Sequence, residues 1–211
     1  MKKELEKRIY SSLILIPITL FFIIQGSVFL IFFLSLFFLA TSYEWLKMNK
    51  KNNLMKLIGI IFLFFSFYSA FYIRKNLGLD FFLFIILVCI FTDIGGYVFG
   101  KTFKGPKLTV ISPNKTYAGV IGGFLFALIA GLSHMKYIDS KFLFSDPINV
   151  IIGILLISLI SQVGDLIISY FKRKAKLKNT GKILPGHGGL LDRVDGLILV
   201  MPIIYLKIFI I

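Results

Sequence analysis

Ser169-Tyr-Phe-Lys-Arg-Lys-Ala-Lys-Leu-Lys-Asn-Thr-Gly-Lys-Ile-Leu-Pro-Gly-His-Gly-Gly-Leu-Leu-Asp-Arg-Val-Asp195 lies between two long apolar runs, and its reading decides how the rest of the chain is read. The stretch carries seven Lys/Arg residues, a cluster of glycines, and the carboxylates Asp192 and Asp195 three residues apart. Charged groups at the edge of an apolar span are expensive to desolvate, so this density implies a ligand that compensates them. Cations and glycine-exposed N–H groups suit phosphate oxygens, whereas paired carboxylates suit a divalent metal. The expectation is a metal-assisted reaction on phosphates at the surface of a lipid bilayer.

Outward from this stretch the chain is overwhelmingly apolar. Its 211 residues are 57% hydrophobic, with 24 Phe, and the mean hydropathy is +0.89. That is far from the composition of a soluble globular domain. Seven segments approach the roughly 20 apolar residues an α-helix needs to cross the hydrocarbon: 9–24, 28–45, 57–73, 79–99, 117–133, 148–171 and 190–211. The fold class expected is therefore all-α, a polytopic membrane helix bundle forming one membrane domain over 1–211. Composition shifts softly near residue 78. Residues 1–78, where Glu44 stands out as a polar group at a helix end, read as scaffold spans. Residues 79–211, with Asp93, Asp165, Asp192 and Asp195, read as the chemical half. Gln25-Gly26-Ser27 reads as a tight reversal joining the first two spans, and Pro17 as a kink in the first.

The net charge of +14 would favour nucleic acid in a soluble chain, but here the charges are divided among short loops. Topology and anionic headgroups account for them better, and no nucleic-acid partner is expected. The N-terminus, the 47–56 loop and the 101–115 loop carry four Lys/Arg each and the 172–193 loop seven, nineteen in all. The alternate loops hold Arg74, Lys75, Lys136 and Lys141. By the positive-inside rule the nineteen face the cytoplasm, with the N-terminus inside. The basic start followed by an apolar run reads as a retained first span, because no small-residue cleavage site follows. The single cysteine, Cys89, excludes an internal disulfide and reads as a small buried hydrophobe.

Four groups of residues could carry chemistry. At i and i+3 of a helix, Asp192 and Asp195 share a face and can reach one cation, with Arg193 either a phosphate clamp or a counter-ion. Ser158, Ser161, Asp165, Ser169 and Lys172 form a polar stripe three or four residues apart on an Ile/Leu-rich helix. The serines suit helix–helix contacts, while Asp165 needs a cation, from Lys172, Arg173 or a metal. Asp93, Tyr97 and Lys101 share a face that is either a packing surface or a further acidic wall. Ser112-Pro113-Asn114-Lys115-Thr116 opens a span with hydroxyls at capping spacing and a cation. Behind it, Gly119, Gly123, Ala127 and Gly131 form a small-residue stripe for close packing.

These residues resemble the phosphatidate cytidylyltransferase (CDP-diacylglycerol synthase) family. The family signature is matched in order by Ser169, Phe171, Lys172, Arg173, Lys178, Pro185 to Gly189, Asp192, Arg193 and Asp195. Gly164-Asp165, Ser112-Pro113 with Lys115-Thr116, Gly119, the stretch from Asp93 to Gly100 and Lys7-Arg8-Ile9 also resemble it. Asn179 stands where the family has Asp, and Ala118 where it has Glu or Gln. The resemblance implies transfer of CMP from CTP to phosphatidic acid, with Mg²⁺ held by Asp165, Asp192 and Asp195. It implies phosphate contacts from Lys172, Arg173, Lys178 and Lys115. Ser112, Thr116, Ser169, His187, Gly188, Gly189 and Arg193 would contribute around them, with Asp93 and Asn179 at the margin. The implied partners are CTP, phosphatidic acid and membrane lipids, with a homodimer as an option, and the implied location is the inner membrane of a bacterium. The rival readings are a CTP-dependent lipid-alcohol kinase, which would need a general base, and a non-catalytic anionic-lipid-binding protein or transporter.

Overall fold

The computed structural model describes residues 2–109, 112–135, 146–184, 186 and 188–209. The described residues form six helices: α1 Lys2–Gln25, α2 Ser27–Met48, α3 Asn53–Phe103, α4 Tyr117–His134, α5 Pro147–Lys174 and α6 Leu191–Phe209. The protein is an all-α polytopic membrane protein. By length and composition α2, α3, α4 and α5 can each cross a membrane. As a straight rod α3 would be roughly 76 Å long, more than twice the hydrocarbon thickness. Its backbone leaves the helical region at Gly78 (φ 84, ψ 179), which separates two stretches of spanning length. Only glycine adopts that φ without strain. The two terminal helices are weaker spans than the sequence suggests. The apolar part of α1 is only Leu13–Gln25, and α6 opens on Asp192, Arg193 and Asp195.

Two compact units divide the chain: Met1–Lys75 with Phe171–Ile211, and Asn76–Tyr170. The first break falls beside Gly78, where composition shifts. The second falls within α5, where local sequence carries no mark.

In the first unit the reversal after α1 uses Gly26 (φ 64) and Ser27 (φ 44). Arg74 Nε donates to Ile23 O (3.0 Å) and Nη2 to Ile24 O (3.1 Å), satisfying carbonyls at the end of α1 that have no helical partner. Trp45 at the end of α2 donates through Nε1 to Met55 O (2.9 Å) and meets Phe171 edge-on. A Cβ at Gly59 would stand 1.9 Å from that indole nitrogen, so only glycine fits there. Pro202 sits inside α6 and has no N–H to give the carbonyl four residues earlier, that of Ile198. Ser66 Oγ, from α3, donates to that oxygen at 2.7 Å. In an apolar layer this replacement donor is what makes a helix-interior proline tolerable.

In the second unit glycines bring backbones into contact. A Cβ on Gly95 would stand 2.2 Å from Gly122 O, and one on Gly119 2.8 Å from Gly96 O. Of the stripe on α4, Gly119 faces Gly96 and Gly100 of α3, Gly123 lies against Thr92 of α3 and Gln162 of α5, and Gly131 receives Ile154 of α5; Gly122, outside the stripe, meets Gly95. The glycines between Asp93 and Gly100 thus pack against α4, whereas Asp93, Tyr97 and Lys101 are exposed, so their shared face is not the packing surface. Thr92 Oγ1 and Ser158 Oγ are 2.9 Å apart, and Gln162 Nε2 donates to the same serine at 3.4 Å.

Candidate functional site

The predicted site residues fall into both units, and each set has its own geometry. In the first unit they lie on the last turn of α5, the loop that follows, and the first turn of α6. Lys172 Nζ donates to Asp192 Oδ1 at 2.9 Å, and the two side chains are only 11% and 9% exposed. Asp192 Oδ2 accepts from Thr180 N (2.9 Å) and Gly189 N (3.1 Å). One carboxylate thus gathers the helix end, the loop and the start of α6. Asp195 lies three residues on, in the first turns of α6 as its spacing requires, and its Oδ1 accepts from Gly196 N at 3.0 Å. Arg193 is exposed.

Around this centre Lys178 and Asn179 are exposed, and Arg173 Nη1 donates to Leu177 O at 3.3 Å. The glycine loop is closed by two backbone hydrogen bonds, Leu184 N to Gly188 O (2.9 Å) and Gly188 N to Leu184 O (3.1 Å). Gly186 (φ 78) and Gly188 (φ 92) take the left-handed backbone that such a turn needs. His187 lies outside the described residues.

In the second unit Lys115 is ion-paired with Asp165, and its Nζ lies 3.4 Å from Gln162 O. Ser169 Oγ donates to Asp165 Oδ1 at 3.3 Å. The cation that Asp165 requires therefore comes from the segment before α4. Of the sources expected for it, Lys172, Arg173 or a metal, Lys172 pairs with Asp192 instead. That segment is an antiparallel turn: Lys107 bridges to Thr116, and Leu108 N donates to Lys115 O at 2.8 Å. Thr116 is the N-cap of α4, its hydroxyl accepting from Gly119 N at 3.1 Å. Ser112 sits inside the turn, where its N donates to Thr109 Oγ1 (3.1 Å) and its O accepts from Lys115 N (3.0 Å). Asp93 is exposed on α3.

The donors suit a hard divalent cation in kind, being carboxylates and hydroxyls. Asp192 Oδ1 already takes a positive group, the Lys172 ammonium. Among the described residues no group of three or more His, Cys, Asp and Glu could hold a metal by itself.

Two residues matter here that sequence reasoning did not place in the site. Glu44, near the end of α2, is 1% exposed. Its Oε2 accepts from Thr180 Oγ1 (2.9 Å) and Leu191 N (2.8 Å), and its Oε1 from Leu190 N (3.0 Å). Thr180, 2% exposed, spends its hydroxyl on Glu44 and its amide on Asp192. A Cβ at Gly181 would meet Glu44 Oε1 at 2.2 Å, and one at Gly189 would meet Thr180 Oγ1 at 2.0 Å. Those two glycines let the carboxylate come close. The signal available in the sequence was an isolated acid in an apolar helix, which has to find donors somewhere.

A protein-family model described as "Cytidylyltransferase family" matches residues 52–211. Among curated relatives, the phosphatidate cytidylyltransferase of Staphylococcus aureus (strain COL) is 38% identical over 177 residues, covering 79% of this chain and 64% of the relative. That of Rickettsia bellii (strain RML369-C) is 35% identical over 212 residues, covering 97% of this chain and 90% of the relative. The match to the staphylococcal proteins thus spans less than two thirds of their length.

Proposed function

The chain belongs to the cytidylyltransferase family, and from that membership we propose that it transfers CMP from CTP to phosphatidic acid, giving CDP-diacylglycerol and pyrophosphate. The observation that carries the reading is the convergence on Asp192. An ammonium and two backbone amides hold one carboxylate at the start of α6, and Asp195 follows three residues later. The relatives' names supply the substrate class, and the basic loop offers the complementary charge.

In this reaction a phosphate oxygen of phosphatidic acid bonds to the α-phosphorus of CTP, and the bond from that phosphorus to the bridging oxygen of pyrophosphate breaks. The attacking phosphate is already anionic, so no general base is required. The difficulty is to bring two polyanions together, and catalysis is mainly positioning and electrostatic. Bound Mg²⁺ would supply charge neutralisation on the triphosphate and on the departing pyrophosphate. We assign Asp192 and Asp195 to hold it, and the family resemblance gives Asp165 the same role. Lys172, Arg173 and Lys178 orient phosphates, as does Lys115, which Asp165 aims. Ser112, Ser169, His187, Gly188, Gly189 and Arg193 are assigned to phosphate binding by the same resemblance, and Thr116 caps α4.

We place the basic loops on the cytoplasmic side of a bacterial inner membrane, where CTP is available and lipid reaches the site laterally. The test is purified protein with CTP, phosphatidic acid and Mg²⁺, with products identified by nucleotide and pyrophosphate content. Release of CDP or a phosphorylated lipid alcohol in place of pyrophosphate would reject the reading.

A further inference from the structure

The start of α6 has no local cap. The residue before it, Leu190, has an apolar side chain that cannot accept a hydrogen bond, so the first amides of the helix need an acceptor from elsewhere. They find it in Glu44, 146 and 147 residues away in sequence. A carboxylate is among the costliest side chains to bury. Here it is buried with three donors converging on it, and with Gly181 and Gly189 clearing its path. An anion at a helix N-terminus is favoured by the helix dipole and by charge-assisted hydrogen bonds.

The consequence reaches the chemical groups. Asp192 stands in the first turn of α6 and Asp195 three residues further on. Thr180 joins the two anions, its hydroxyl on Glu44 and its amide on Asp192. If the first turn frays, the direction in which both aspartates present their oxygens is lost. We propose that Glu44 is a positioning residue of this site: an acceptor on α2 that locks the 180–191 loop and the first turn of α6, and through them orients Asp192 and Asp195. The inference rests on the cytidylyl-transfer reading for its kinetic consequence, but its structural core stands apart from it.

The test uses the full chain in detergent, as wild type, Glu44→Gln, Thr180→Val and Thr180→Ser. Hydrogen exchange without substrate comes first. Glu44→Gln keeps the volume but turns an NH₂ group toward N–H donors, so amides in 180–191 should exchange about tenfold faster, with α4 unchanged. Cytidylyl transfer by the folded fraction comes second. Glu44→Gln and Thr180→Val should lower kcat roughly ten- to a hundredfold, and Thr180→Ser, which restores the hydroxyl, should recover most of it. Variants that melt earlier but retain wild-type kcat and wild-type exchange in 180–191 would overturn the proposal. If Glu44→Gln does not fold, the Val and Ser variants of Thr180 decide. If wild type itself makes no CDP-diacylglycerol, the functional reading fails, and the exchange measurement alone still shows whether Glu44 holds the loop.

Discussion

Lys172 and Asp192 meet at 2.9 Å with both side chains about nine-tenths buried, so the pair is a structural joint as well as part of the proposed site. Asp192→Asn leaves an ammonium buried without its counter-ion, and its NH₂ group must face either Lys172 Nζ or the amides of Thr180 and Gly189. Loss of one partner of a buried pair costs about 3 kcal/mol, so Asp192→Asn should lose both thermal stability and turnover. Asp195→Asn, at a carboxylate whose Oδ1 accepts from the adjacent Gly196 N, should lose turnover with a smaller change in melting temperature. Thermal unfolding in detergent beside a transfer assay separates the two. Equal loss of stability in both variants would contradict the division of labour.

The hydrogen bond from Ser66 to Ile198 O is expected to matter because of Pro202. Ser66→Ala should destabilise by about 1 kcal/mol, the worth of an ordinary hydrogen bond lost from a buried acceptor. In a Pro202→Ala background, where residue 202 can again supply its own N–H, the same substitution should cost much less. A double-mutant cycle on unfolding free energies measures this coupling, and strict additivity would refute it.

Neighbouring glycines on α3 should respond very differently to a methyl group. At Gly95 an added Cβ meets backbone at 2.2 Å, whereas at Gly96 its nearest contact is 3.6 Å. Gly95→Ala forces α3 and α4 apart and should cost about 2 kcal/mol or more, while Gly96→Ala should be close to neutral. Melting temperatures of the two variants give the comparison, and a larger drop for Gly96→Ala would be incompatible with this packing.

The proposed orientation can be read with single cysteines. Lys51 and Lys75 are both exposed and are separated by the first spanning stretch of α3, while the native Cys89 is buried. In intact cells Lys75→Cys should react with a membrane-impermeant maleimide, and Lys51→Cys should react only after the membrane is opened. The reverse pattern would invert the topology derived from the nineteen basic residues.

Asn179 is exposed beside the loop, and its side chain faces Gly188, where a Cβ would come within 3.2 Å of it. Because Asn keeps a ligand oxygen, Asn179→Asp should shift the Mg²⁺ or CTP concentration dependence by roughly a few-fold, with less effect on kcat. Titrations of transfer rate against Mg²⁺ decide it. Activity confined to the Asp variant would identify the wild type as a degenerate relative.

Sequence by itself determined the helices, because apolar runs of this length must satisfy their backbones internally and leave no other regular solution in lipid. It also determined features that depend on neighbours within one turn: the Thr116 cap, the glycine stripe of α4, and the shared face of Asp192 and Asp195. Tertiary structure alone decided which groups meet across helices. Lys115, not Lys172, became the partner of Asp165. Ser66 took the carbonyl that Pro202 leaves without a donor, and Glu44 became the cap of α6. These contacts join residues 50 to 147 positions apart. Periodicity tells which face of a helix is polar, but it holds no information on which other helix that face will meet. For a lone buried carboxylate such as Glu44, the identity of its donors is set entirely by that meeting.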